Sequence, residues 1–346
     1  MPRVLTASLA PAALALVLTA CGDGAGERGT GEPTGPVVPT ATGNPTNSTS
    51  PGTGTMAAAP TGPACSGERC YEDAGIVGEL APDVVEAASG MAASRRTPGL
   101  FYVVSDASGT SRVAVVEGDG TLVAHLEIEG MSARNAEALA IGPCGAAGSG
   151  NSCLFVGDIG NHVGLPDLVV YRAVEPDLSD PPDTVAADQL RYTYPDAPTD
   201  AEALLVDGEG RPLVISKAPF DRDTGTTGAT VLFRGSHDGG ALEPLGEIDL
   251  PEPERPAFAP LVGHVVTGAD SAEGRVLLRT YDEVYEYRSD QPDADPADFP
   301  EWPRRRVPSP SQVQAEAVAY RADGCGYLTT SELTGSIVAV NCRESP

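Results

Sequence analysis

The chain has 346 residues, with Lys+Arg 22 against Asp+Glu 49, and a formal net charge of -27. Nothing on so acidic a surface neutralises phosphates, which argues against a nucleic-acid partner; the same charge favours solubility and draws cations. Lys217 is the only lysine, and every other basic side chain is arginine.

The chain opens with Arg3 and then an apolar stretch from Val4 to Ala20, ending Leu18-Thr19-Ala20-Cys21-Gly22. The stretch is too short and too rich in small residues for a stable membrane span and reads as a cleaved leader. Its end resembles the lipobox of bacterial lipoproteins. The resemblance implies that residues 1–20 are a signal peptide and that Cys21 is the acylated mature N-terminus. Two acyl chains suffice for stable anchoring, so the expected place is the outer face of the cell membrane. No other stretch approaches the length of a transmembrane helix.

Residues 21–64 are Gly, Pro, Thr, Ser and Ala with almost no large apolar side chains. Such a segment cannot offset its ordering entropy and is expected to be a disordered tether. At roughly 5–6 Å × √n it spans about 35 Å on average. The folded domain is then 65–346, expected to be a monomer.

Of seven cysteines, setting Cys21 aside leaves six: Cys65, Cys70, Cys144, Cys153, Cys325 and Cys342. Outside the cytoplasm an even set reads as disulfides. Several pairings are open; proximity in sequence favours Cys65–Cys70, Cys144–Cys153 and Cys325–Cys342. No CxxC is present, which argues against structural zinc.

The domain repeats itself. Asn135-Ala136-Glu137-Ala138-Leu139, Asp200-Ala201-Glu202-Ala203-Leu204 and Gln314-Ala315-Glu316-Ala317-Val318 share one pattern. Each is followed by a polar turn and an apolar β-type run that ends in a charged residue: Asp158, Lys217 and Glu332. Two looser units begin at Ser89-Gly90-Met91 and at Thr267-Gly268-Ala269-Asp270. Third and fourth runs follow most units, the last unit lacks a fourth, and residues 75–80 lie spare at the N-terminal end. Short strands, frequent turns and no long helical period indicate an all-β fold. The expected architecture is a single β-propeller of five four-stranded blades, closed by an N-terminal strand. Six blades, with strands near 250–265, and a β-sandwich are the alternatives.

In a propeller the first strand of each blade lines the channel, and its start shares a face with the end of the second strand. Glu137, Glu202, Asp270 and Glu316 are therefore expected at one channel mouth. Asp106, Asp158, Lys217 and Glu332 are expected just outside them. Converging carboxylates raise one another's pKa values, and a hard divalent cation relieves the repulsion. The ring is thus a candidate Ca²⁺ or ligand site, against the alternative that each Glu only bonds loop amides of a neighbouring blade. Lys217 is a candidate for holding an anionic group, or for pairing with a carboxylate. Arg279 could assist it or space the blades. His162 and His264 are candidate acid/base residues on the same face. His125 and His237 are expected on outer strands or loops. No GxSxG, HExxH or P-loop is present.

Five stretches, "LFVGDIGNH" (154–162), "DAEALLV" (200–206), "VTGAD" (266–270), "VLLRTY" (276–281) and "AEAVAY" (315–320), resemble a family of secreted, largely uncharacterised bacterial β-propellers, over about residues 85 to 340. More distantly the layout is similar to calcium-bearing phytase- and lactonase-type propellers. That resemblance implies a Ca²⁺ site at the channel and no particular reaction. In the family Gly-Asp-Ile-Gly is followed by Asp-Asn; here Asn161 and His162 stand there, so one carboxylate is absent. Two functions follow as expectations. One is a membrane-anchored module binding a divalent cation, a small ligand or a cell-envelope partner. The other is a Ca²⁺-dependent hydrolase of phosphoesters, lactones or esters.

Overall fold

In the computed structural model the second strands explain the architecture first. Leu100–Ser105, Ser152–Asp158, Pro212–Ser216, Arg275–Thr280 and Tyr327–Ser331 are almost continuously buried. A strand buried on both faces needs a layer on each side. Here each layer is the neighbouring blade. The structure describes residues 70–145, 150–161, 164–322, 324 and 326–343.

Five antiparallel sheets result. Blade 1 is Ala88–Ala93, Leu100–Ser105, Arg112–Glu117 and Leu122–Ile128; blade 2 is Ala136–Pro143, Ser152–Asp158, Asp167–Val174 and Ala187–Thr193. Blade 3 is Ala201–Val206, Pro212–Ser216, Thr230–Arg234 and Glu243–Ile248; blade 4 is Val266–Ala272, Arg275–Thr280, Val284–Arg288 and Arg304–Val307. Blade 5 takes Ala315–Tyr320, Tyr327–Ser331 and Ser336–Val340 from the C-terminal end and Gly75–Glu79 from the N-terminal end. The closing strand pairs antiparallel, Gly75 opposite Ala339. The five-bladed propeller is therefore the fold, closed as the repeat predicts. The segment near 250–265 holds a short helix, Ala259–Val262, and no strand.

Five apolar clusters hold the ring, one per blade junction. Val104, Val115 and Leu126 of blade 1 meet Leu139, Leu154 and Val156 of blade 2. The last junction joins Ala319, Leu328 and Ile337 of blade 5 to Met91, Phe101 and Val103 of blade 1. Each fully buried aliphatic or aromatic side chain contributes about 1.5–3 kcal/mol.

The first strands form a closed inner circle, each beside the next. Their Ala- and Gly-rich sequences let backbones approach closely. A Cβ on Gly268 would lie 2.6 Å from the carbonyl oxygen of Glu316, and one on Gly142 2.4 Å from a Val206 methyl. Larger residues at either position would force two blades apart.

Two features escape the sequence pattern. Thr184–Val185 adds in parallel to the outer edge of blade 1, and Gly240–Ala241 does the same for blade 2. Each is donated by the following blade and covers an otherwise open sheet edge. In blade 2 the turn between the first two strands is closed by the Cys144–Cys153 disulfide, with Cα atoms 4.9 Å apart. Cys342 is also disulfide-bonded. Its predicted partner Cys325 and the side chains of Cys65 and Cys70 lie outside the described residues, as do residues 1–20 and the tether.

Candidate carboxylate site at the channel mouth

Every first strand begins with a register slip. It falls at Ser89, Glu137, Glu202 and Thr267, and in blade 5 at Glu316 with Ala317. A bulge bends the strand and re-aims the extra residue. Five equivalent positions, Ser-Glu-Glu-Thr-Glu, thus come together at one mouth. The register also fixes the outer circle. Ala88, Ala136, Ala201, Val266 and Ala315 lie opposite Ser105, Asp158, Ser216, Thr280 and Ser331. The next residues, Asp106, Ile159, Lys217, Tyr281 and Glu332, stand outside the inner five.

This register corrects two expected positions. Asp270 lies three residues beyond Thr267, at the opposite end of its strand. There it accepts hydrogen bonds from the Tyr320 amide (2.7 Å) and the Ser271 amide (2.8 Å). It lines a separate cleft of about 240 Å³ with Ala92, Arg95 and Ile141. Burial raises its carboxyl to about 6, against the opposing pull of Arg95 and the two amides. Asp158 is one residue short of the outer circle, where Ile159 sits. Its carboxylate accepts from the amides of Arg134 (2.9 Å) and Asn135 (2.8 Å) and from the Arg134 guanidinium (3.5 Å). Asp158 thereby fixes the loop that delivers Asn135 and is one step removed from the mouth.

The remaining expected residues do converge. Glu137, 8% exposed, accepts from Ser89 Oγ (2.5 Å) across the blade junction and from the Asn135 amide. Lys217 donates to Glu202 Oε1, and its ammonium lies 3.2 Å from the Tyr281 hydroxyl and 5.4 Å from that ring's centre. Glu332 accepts from the Gln314 amide. Glu202 Oε2 and Glu316 Oε2 are buried and have no hydrogen-bond partner among the described residues. Thr267 instead bonds the Ala315 carbonyl oxygen of the next blade at 2.8 Å.

Burial and mutual repulsion govern the charges. Burial pushes Glu137 well above the usual carboxylate range, helped by the charges of Glu202 and Asp106. Glu316 rises likewise, by burial and then by Glu202, Glu332 and Glu137. Glu332 rises by burial and Asp106. Glu202 rises only to about 7, because Lys217 offsets burial and the charge of Asp200. Burial would pull Lys217 down, but Glu202, Tyr281 and Glu316 hold it well above its ordinary value. The ammonium therefore stays charged, and Glu202, at about 7, exchanges its proton near neutrality.

Three other candidates lie elsewhere or outside view. His264 packs on Tyr285, with Nε2 3.4 Å from its hydroxyl, and burial lowers its pKa. Arg279 is fully buried, and among the described residues only its Nη2 is bonded, to Gln312 Oε1 at 3.3 Å. Burial lowers its pKa to about 10, against the opposing charges of Tyr327 and Glu316. His162 lies outside the described residues. The resemblance missed Tyr281 and Ser89. Both were recoverable by aligning Ser89-Gly90 and Thr267-Gly268 with the Glu-Ala pairs.

The expected Ca²⁺ was tested against this donor set. Among the described residues no group of three or more His, Cys, Asp or Glu side chains is disposed to hold a metal ion. Glu202 Oε1 is already taken by the Lys217 ammonium, which removes one oxygen that a metal would need. As arranged, the ring does not fit Ca²⁺.

No protein-family model matches the chain, and no curated protein matches its sequence. Solved structures resemble it distantly. A protein described as a gluconolactonase shares 16% identity over 77% of each chain, with a TM-score of 0.40. Myxococcus xanthus glutaminyl cyclase shares 13% over 80% of this chain and 98% of its own, TM-score 0.41. The Cps50 (Swd1) β-propeller domain of Myceliophteria thermophila shares 11% over 79% and 99%, TM-score 0.36. Likenesses this distant say nothing of activity.

Proposed function

We propose that the chain is a ligand-binding propeller of the cell envelope, lipidated at Cys21 and carried on the 21–64 tether, with the carboxylate mouth as its binding site. The observation that carries the reading is the pair of buried oxygens, Glu202 Oε2 and Glu316 Oε2, that have no partner among the described residues, in one ring with Lys217. An unsatisfied buried acceptor costs about 1–3 kcal/mol, which a donor from a ligand would recover. A ligand with positive charge or several N–H or O–H donors suits the site best.

Native mass spectrometry of the protein released from its membranes tests this. A discrete mass excess is expected on the natural chain and absent from Glu316→Gln. No excess in either protein, with no thermal shift across a metabolite panel, ends the binding reading. The anchor is tested separately, by palmitate labelling that Cys21→Ala abolishes.

A hydrolase is the second reading. Glu202, held at about 7, is poised to give or take a proton near neutrality. Uniform inactivity on phosphoester, lactone and ester substrates would retire it.

A further inference from the structure

We infer that the mouth is built for an organic polyamine, a ligand carrying two or more separated ammonium groups, rather than for a metal ion. The inference rests on the binding reading above and names the ligand class for that same site.

Lys217 shows how the mouth receives an ammonium. Its Nζ is held by the Glu202 carboxylate, the Tyr281 hydroxyl at 3.2 Å and the Tyr281 ring face at 5.4 Å. Carboxylate, phenol and aromatic face together form a cage suited to an alkylammonium. One such group is supplied by the chain itself. The ring nevertheless gathers Asp106, Glu137, Glu202, Glu316 and Glu332 around that ammonium, with the charge of buried Arg279 also acting on Glu316. Glu316 Oε2, in a residue 2% exposed, and Glu202 Oε2, in one 7% exposed, have no donor among the described residues.

Geometry separates an amine from a metal. Ca²⁺ needs about six to eight oxygens converging at roughly 2.3–2.6 Å. The described carboxylates form no such group. They sit on different blades around a circle: Glu137 on blade 2, Glu202 on blade 3, and Glu316 and Glu332 on blade 5. Acceptors spread over three blades, with Glu316 and Glu332 sharing one hydrogen bond, match spaced N–H donors. The rim is partly open at Asp106, Lys217, Tyr281 and Glu332, all half-buried. A flexible chain could enter there and send one ammonium inward to Glu316.

Titration calorimetry on the full lipidated chain in detergent tests this with spermidine and with CaCl₂, at low and high salt. The expected result is one spermidine per chain, weakened at least tenfold by Glu316→Gln and by Glu332→Gln. The exposed, remote Glu301→Gln should leave it unchanged. Melting curves check folding, and if Glu316→Gln does not fold, the half-buried Glu332 carries the test. If Ca²⁺ binds, is lost in Glu332→Gln, and spermidine gives no heat, the ligand class is wrong while the binding reading stands. If spermidine binds the ring variants and Glu301→Gln alike, the heat is plain attraction to an acidic surface and the inference falls. No heat from either probe also overturns it; combined with no mass excess in the native spectrum, it removes the binding reading as well.

Discussion

Lys217 and Glu202 form an ion pair within one blade, and the same ammonium reaches across to Tyr281 on the next. The side chains of Lys217 and Glu202 are 22% and 9% exposed, so little water screens the pair. Breaking such a pair leaves a buried charge behind. Lys217→Met should therefore cost about 2–4 kcal/mol at pH 8, as read by urea unfolding. At pH 5 the loss should shrink, because Glu202 can then take up a proton. An equal loss at both values would mean that Glu202 is not the residue left uncompensated.

The natural chain should be more stable at pH 5 than at pH 8. Glu202 has its folded pKa raised from 4.5 to about 7, and Asp270 from 3.8 to about 6. Stability from a raised carboxyl is complete below the unfolded pKa and is lost as pH rises through the folded one. Glu286 works the other way. Burial pushes it up, but the Tyr71 hydroxyl and the charges of Arg305 and Arg288 outweigh burial and hold it low. Its contribution is present above its unfolded pKa and is lost as pH falls. The urea midpoint should thus peak at around pH 5 and decline toward 7. Glu202→Gln should flatten the decline, and an unchanged slope in that variant would contradict the charge assignment.

Gly160→Ala probes the mouth without removing a charge. A Cβ there would lie 2.6 Å from Asn135 Oδ1 and 2.6 Å from Glu137 Oε1. One of these must move, at a cost of about 1–3 kcal/mol. The Ser89–Glu137 bond should loosen, and ligand affinity should fall with it. Melting and binding measurements on the variant should both move; an unaltered pair of values would show that the Asn135–Glu137 contact is slack.

Cys144→Ser with Cys153→Ser removes a crosslink spanning nine positions of sequence. By loop-closure entropy the loss is about 2.5 kcal/mol. Thermal unfolding should show it, with ligand binding unaffected, since the loop lies at the far end of the first strand from Glu137.

Much of this was legible in the residues. The three Ala-Glu-Ala motifs with the two looser units at Ser89 and Thr267 count five blades, and the motifs place Glu137, Glu202 and Glu316 together. Those motifs carry the period, and the small residues around them are what close packing of the inner strands demands. Asp270 misled because an acidic residue at the right distance from Thr267-Gly268 resembles the Glu motif. The bulge sits at Thr267, where Thr267-Gly268 aligns with the Glu-Ala pairs. Asp158 misled by a single position for the same reason. The parallel additions at Thr184–Val185 and Gly240–Ala241 were invisible because two-residue bridges have no hydrophobic period. The unpartnered oxygens of Glu202 and Glu316 depend on packing between blades, which spacing along the chain does not encode.

The strand Gly75–Glu79 pairs with Ser336–Val340. Four other blades lie between the two partners in the chain. Blade 5 therefore cannot be completed until they have been made, and the contact that locks the circle is also one of the slowest to be reached. Until then Ile337 and Leu328 lack their full cover. The same delay exposes an unfinished sheet edge, so the yield of folded protein should be more sensitive to changes in residues 75–79 than the exposure of Ile76 and Val77 alone would suggest.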